Sequence, residues 1–471
     1  MPAAAIAPAG IGHVHTTRQE TSMAQFKNGH NARGRNLLGM GTALAGAALL
    51  PDAVSAAAKA GRGFPKGFLW GAAIAGHQAE GDNVASDAWF LENLQPTEFK
   101  EPSGSAVDHY RLFDQDIAML ASVGLNTFRF SIEWARVEPV EGMFSVAALE
   151  HYRDVLQACR KRGIKTMVSF NHFVNPRWFA ARGGWEAEGS AQLYARYCDK
   201  VARHLGHLMD VATTFNEPNL PRLLFGIPGP LSGMADNPRM REMLAKAGQL
   251  SGTGKFSAWI FGDFAKIEAG LLQAHELGYK AIKSVDPKLP VGLSIAIADD
   301  QAVDGGEAMV ERKRAIAYEP WFKAITRNGD FIGVQTYTRE LIGQDGVRPP
   351  PKDAEITTGH MEYYRQALEA TLRYTAQNVK LPIYVTENGI STDNDARRVA
   401  YINTAVQSVA NCLKDSIDVR GYIHWSLIDK FEWIFGYGPR FGLIGVDRGT
   451  MKRTIKPSAY VLGKIAKANG I

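Results

Sequence analysis

NTFRFSIEWARVEP (126–139), AALEHYRDVLQACRKRG (147–163) and KTMVSF (165–170) follow one another closely in the chain. The first opens on a short β-rich apolar run and continues into a polar loop. In the second, apolar residues recur at spacings of three and four, the period of a helix with one buried face. The third is another apolar run. Strand, loop, helix and strand in this order form one β/α unit, whose two strands must lie parallel.

The same rhythm extends outward from this stretch in both directions, beginning at Phe64. Strand candidates are FLWGAAI (68–74), NTFRFSI (126–132), KTMVSF (165–170), VATTF (211–215), PVGLSI (290–295), DFIGVQTY (330–337), PIYVTEN (382–388) and GYIHWSL (421–427). Helix-like segments such as VDHYRLFDQDIAMLASVG (107–124) and RRVAYINTAVQSVANCLKD (397–415) lie between them. Eight parallel strands, each followed by a helix, predict an α/β fold of the (β/α)8 TIM-barrel type, with its active site at the strand C-terminal ends.

Composition agrees with a single large folded unit. The chain has 471 residues, 45% hydrophobic and 21% charged, which excludes a disordered polymer, a collagen or a disulfide-stapled miniprotein. The formal net charge of +5 comes from 53 basic and 48 acidic residues without a long basic block, so no nucleic-acid partner is expected. Cys159, Cys198 and Cys412 lie far apart, which points to buried or idle thiols rather than a zinc cluster or a disulfide framework.

The first sixty residues differ from the rest. Lys27, Arg33 and Arg35 precede the apolar run LLGMGTALAGAALL (37–50) and the small-residue stretch AVSAAAKA (53–60). Basic, apolar and small residues in this order have the shape of an export signal, and the apolar run is too short to span a bilayer permanently. RGRNLLG (33–39) resembles a twin-arginine signal with one residue inserted; a general secretory route stays open. Residues 1–58 are therefore expected to be a signal or targeting segment and 59–471 the barrel, with the mature protein exported to the periplasm. An uncleaved extension would leave it in the cytoplasm.

The informative residues close two of the strands. Asn216 and Glu217 end the fourth in TFNEPN (214–219), and Glu387 and Asn388 end the seventh in VTENG (385–389). A carboxylate at the end of a buried apolar strand is costly to desolvate, so it needs partners or a catalytic reason. Either glutamate alone fits a structural ion pair. Two of them, both beside amide side chains and near tryptophans, fit the carboxyl pair of glycoside hydrolysis.

Further segments extend the pattern: FLWGAAIAGHQAEG (68–81), the Asn171–His172 pair, DFIGVQTYT (330–338) and HWSLIDKFEWIFGYGPRFGLIGVD (424–447). Taken with NTFRFSIEWARVEP, TFNEP and VTENG, they resemble glycoside hydrolase family 1, the family that contains the β-glucosidases, over about residues 64–460. The resemblance implies that Glu217 is the general acid/base and Glu387 the nucleophile of a retaining mechanism, with Asn216 holding the sugar 2-hydroxyl. It implies that Arg129 and Tyr337 orient the nucleophile. Gln78, His172, Glu432 and Trp433 would bind sugar hydroxyls, and Trp425 would lie under the pyranose ring. The implied activity is hydrolysis of unphosphorylated β-glucosides through a covalent glycosyl-enzyme, on a small-molecule β-glycoside or oligosaccharide, with no metal or organic cofactor and no membrane partner beyond export.

Sugar chemistry asks for the same mixture of side chains. Hydroxyls at the ring edge call for planar bidentate groups such as those of Gln78, Asn216 and Glu432, and C–H groups on the ring face call for aromatics. His172 by itself reads equally well as a satisfied core histidine. Trp425 and Trp433 are expected in a polar loop after the last strand, while Trp134, Trp178 and Trp259 read as core or rim.

Several positions depart from the family pattern. Gln335, Thr336 and Tyr337 stand where Asn-Tyr-Tyr is common, Phe173 stands where a tryptophan is usual, and DNVASDAW (82–89) is a shortened loop. Glu432 is usually replaced in the 6-phosphoglycosidase members, because an acid there would repel phosphate. The region 225–262, rich in Gly, Pro and Met, shows no strand pattern and reads either as the wall of the leaving-group site or as a lid packed on the barrel. β-Galactosidase, β-fucosidase, β-mannosidase and transglycosidase activities stay open, as does a homo-oligomer. A non-catalytic sugar-binding barrel is the alternative from another class; it would be expected to lack Glu217 or Glu387.

Overall fold

Eight strands in the computed structural model, which describes residues 63–231, 237–258 and 262–471, hydrogen-bond side by side into a closed parallel barrel. They are β1 (Leu69–Ala73), β2 (Thr127–Ser131), β3 (Lys165–Ser169), β4 (Val211–Asn216), β5 (Val291–Ala296), β6 (Phe331–Gln335), β7 (Ile383–Asn388) and β8 (Val419–Trp425). Each pairs with its neighbours in sequence. β8 closes on β1 in a register running from Leu69 opposite Gly421 to Ala73 opposite Trp425. All eight strands expected from the sequence are present, in the expected order.

The strands are apolar on both faces because both faces are covered. Met167, Val211, Phe331 and Ile423 form a buried cluster of their own, whereas Val168, the next residue after Met167, joins the larger cluster shared with the helices. Successive strand residues point to opposite faces, so the first set fills the barrel and the second meets the outer layer. Helices His109–Val123, Val146–Lys161, Ser190–Leu205, Phe264–Val285, Glu319–Arg327, Ala367–Asn378, Asp395–Lys414 and Pro457–Ala468 follow β1 to β8 in turn. Ser145, Asp263 and Asn394 cap three of them by accepting hydrogen bonds from first-turn N–H groups.

At the C-terminal end the ladder is irregular in two places. The pairing of β4 with β5 shifts register between Thr213 and Asn216, and β7 shifts after Val385 against both its neighbours. Such bulges re-aim side chains at a barrel rim. Glu217, directly after β4, has φ +45°, a left-handed conformation unusual for a residue with a Cβ. Gly389, directly after β7, lies so close to β8 that a Cβ there would stand 2.0 Å from the Trp425 carbonyl oxygen. Only glycine lets the two strand ends approach this far.

Two sequence expectations need correction. Region 225–262 is not simply a loop, because it contains the helix Pro238–Leu250, with Asn237 as cap and Pro238 in the first turn. Met240, Met243 and Ala247 from this helix are buried in a cluster with Leu91, Phe99 and Phe431, so these apolar side chains serve packing. Trp425, inside the strand candidate 421–427 but also expected in the following loop, is the last residue of β8, because β8 pairs with β1 to its end. Cys159, Cys198 and Cys412 are free and buried, and Trp134 lies in the core with Trp178 packed against it. The expected export signal within 1–58 and Trp259 lie outside the described residues.

Candidate active site

Glu387, the penultimate residue of β7, is only 3% exposed, and both of its carboxylate oxygens are engaged. Arg129, on β2 across the barrel mouth, donates from Nη1 to Oε1 at 2.6 Å, and the Tyr337 hydroxyl donates to Oε2 at 2.5 Å. A buried ion pair needs further hydrogen bonds to offset its desolvation, and the second guanidinium nitrogen of Arg129 makes one, although its Nε is buried without a protein partner among the described residues. Its Nη2 donates to Asn216 Oδ1 at 2.5 Å, and Gln335 Nε2 donates to the same oxygen at 2.8 Å. Two donors on Oδ1 turn the Asn216 amide nitrogen toward His172 Nε2, 3.2 Å away. Nε2 therefore accepts, which leaves the ring hydrogen on Nδ1. Burial and the nearby charges of Arg129 and Lys430 hold the His172 pKa well below the usual imidazole range, so the ring is neutral.

Glu217 faces a different environment. It is buried, 8% exposed, and the negative charge of Glu387 acts on it. Burial first and the Glu387 charge second push its pKa well above the ordinary carboxylic acid value, against the opposing pull of Arg129. One carboxyl of the pair is thus gripped by a cation and a phenol, and the other is biased toward its protonated form.

A polar and aromatic wall completes the cluster. Gln78 Nε2 donates to the Phe431 carbonyl at 2.7 Å and to Glu432 Oε2 at 3.0 Å. Lys430 pairs with Glu432 Oε1, and its ammonium stands 4.2 Å from the centroid of the Trp425 ring. Trp425 is nearly parallel to His172 at 13° and 5.5 Å between centroids. Trp433, in a short turn Trp433–Phe435, is nearly parallel to His172 at 6.4 Å and to His77 at 5.7 Å, with Phe173 tilted against it at 5.4 Å. Gln78 Oε1, His172 Nδ1 and Gln335 Oε1 are buried without a protein partner among the described residues. Unpaired buried polar atoms are costly unless a ligand satisfies them, and polar atoms beside flat aromatics match the edge and face of a sugar.

The structure brings Gln78, Arg129, His172, Asn216, Tyr337, Glu387, Trp425, Glu432 and Trp433 into one connected cluster, and Glu217 joins it through its electrostatic interaction with Glu387. Sequence reasoning missed Lys430, although DKFEW (429–433) places it two residues before Glu432. It also missed His77, which adjoins Gln78 and backs Trp433. Gln335, expected only as an altered ligand, holds Asn216 in place. Among the described residues no group of three His, Cys, Asp or Glu side chains is arranged to hold a metal ion.

Known proteins share this architecture. A family model, glycosyl hydrolase family 1, matches residues 61–229 and 307–471. The chain is 49% identical to the solved structure of β-glycosidase BGL167, with TM-score 0.82 over 87% of this chain and 98% of that one. It is 46% identical to the apo structure of β-glucosidase 1317, again with TM-score 0.82, over 85% and 98% of the two chains. A curated β-glucosidase from an Agrobacterium strain is 29% identical over 84% of this chain and 93% of its own. The family match covers both strand-end glutamates and the wall around them, and on it the chain belongs to glycosyl hydrolase family 1, as a glycoside hydrolase with a small-molecule sugar substrate.

Proposed function

We propose that the protein is a retaining β-glycosidase that hydrolyses unphosphorylated β-glucosides by double displacement. Glu387 attacks the anomeric carbon while Glu217 gives its proton to the departing glycosidic oxygen, so the aglycone leaves neutral and a glycosyl ester forms on Glu387. Esterification removes the negative charge beside Glu217, which can then hold its own charge and take a proton from the incoming water. Water attacks the anomeric carbon from the vacated side, the ester bond breaks, and sugar of the original configuration is released. The observation that carries this reading is the asymmetry of the two carboxyls: Arg129 and Tyr337 hold Glu387, while burial and the Glu387 charge push the pKa of Glu217 up.

Arg129 and Tyr337 act here by aiming the Glu387 carboxylate. Asn216 meets the 2-hydroxyl. Gln78, His172, Glu432 and Trp433 bind the remaining hydroxyls, and the indole of Trp425 packs on the ring. The preference against phosphate rests on Glu432, a carboxylate that accepts hydrogen bonds and has none to give to a phosphate, itself only an acceptor when ionised. Lys430 offsets the charge of Glu432 but not this mismatch. A panel of nitrophenyl glycosides, including a β-glucoside and its 6-phosphate, tests the reading. The β-glucoside is expected to have the highest kcat/KM; a higher value for the 6-phosphate or for another glycone would overturn the assignment of substrate.

A further inference from the structure

Lys430 takes no part in the chemistry above, yet it is among the most completely enclosed cations of the site. Its side chain is 0% exposed, and among the described residues it pairs with the carboxylate of Glu432. Enclosing an ammonium beside a single carboxylate is costly, because desolvation of both groups offsets much of their attraction. Here the pair does something geometric. Lys430 takes Oε1 of Glu432 and Gln78 takes Oε2, so the carboxylate is held from two chain segments that are distant in sequence. The ammonium also stands over Trp425, which ties the same anchor to the aromatic wall.

We infer that Lys430 is a positioning residue that sets sugar specificity by holding the Glu432 carboxylate in the orientation that accepts hydrogen bonds from the outer hydroxyls of an uncharged sugar. The inference rests on the reading of Glu432 as a sugar ligand. The charged groups acting on Glu432 are Lys430 and, from β7, Glu387; those acting on His172 are Arg129 and Lys430. Burial pushes the Glu432 pKa up and Lys430 opposes that shift, so without the ammonium the carboxyl would take up a proton more readily and cease to be a pure acceptor.

A double-mutant cycle on kcat/KM for p-nitrophenyl β-glucoside separates the possibilities. Lys430→Met is expected to lower kcat/KM by on the order of tenfold to a hundredfold, with the loss growing toward acid pH, and Lys430→Arg is expected to recover most of it. In the Glu432→Gln background, Lys430→Met is expected to change neither kcat/KM nor the pH profile further. Losses that simply multiply, or a Lys430→Met profile with the same acid limb as the parent, would overturn the inference. A Glu432→Gln enzyme with unchanged kcat/KM would instead sink the reading of Glu432 as a sugar ligand. Should Lys430→Met not fold, Lys430→Gln, which keeps a neutral donor for Oε1, takes its place and is judged by the same criteria.

Discussion

Removing the hydroxyl of Tyr337 isolates one contact to the expected nucleophile. In Tyr337→Phe the aromatic ring, which packs edge-on against Phe441 at 5.9 Å, stays, and only the 2.5 Å hydrogen bond to Glu387 Oε2 is lost. Glu387 is buried, so water does not readily replace the missing donor. A hydrogen bond to a charged group contributes about 1.5–3 kcal/mol, and about 1.4 kcal/mol is a factor of ten. The loss is therefore expected to be on the order of 10- to 100-fold in kcat/KM for p-nitrophenyl β-glucoside, with Arg129 still gripping Oε1. Thermal unfolding of the same sample checks that the fold is kept. A folded Tyr337→Phe enzyme whose kcat/KM lies within about twofold of the parent would refute the claim that this phenol aims the carboxylate.

Other consequences concern charge, packing and the N-terminal segment. In Glu387→Gln the negative charge that raises the Glu217 pKa is gone, so that pKa should fall toward the ordinary carboxylic acid value; carbon NMR of labelled glutamate reads this, and an unmoved titration would show that burial alone sets it. Gly389→Ala puts a Cβ against the Trp425 carbonyl and should destabilise the fold by about 1–3 kcal/mol in a denaturant melt, as overpacking does; an unchanged midpoint would mean the strand ends separate freely. Export, proposed from the charge and apolar order of residues 27–60, should yield periplasmic or secreted protein whose intact mass places the new N-terminus between about 50 and 62; full-length protein confined to the cytosol would sink it.

The barrel was legible because parallel strands covered on both faces read as unbroken apolar runs, and the amphipathic helices between them show a different period. The strand-end glutamates were legible for the opposite reason, as charged residues where apolar ones would be expected. What stayed hidden depends on contacts between distant segments. The register shifts in β4 and β7 arise from pairing with neighbouring strands, and nothing within TFNEP or VTENG announces them. Lys430 looks like an ordinary loop lysine until Glu432 and Trp425 are seen to enclose it. The helix Pro238–Leu250 had a local signal, an Asn cap followed by Pro, but the Gly- and Pro-rich flanks obscured it. Trp425 falls inside the strand candidate 421–427 and yet reads as part of the polar loop with Trp433; its pairing with Ala73 decides for the strand.

The division of labour between the two glutamates is tested most directly by the anomeric configuration of azide products. Glu387→Gly removes the attacking carboxylate and leaves space for azide to displace the leaving group of an activated β-glucoside in one inversion, so the α-glycosyl azide is expected. Glu217→Ala still forms the glycosyl ester from a substrate with a good leaving group; azide then attacks that ester, and two inversions give the β-glycosyl azide. The anomeric proton coupling distinguishes the products. An α-azide from Glu387→Gly and a β-azide from Glu217→Ala is the result the account predicts, and the reverse pairing would contradict it.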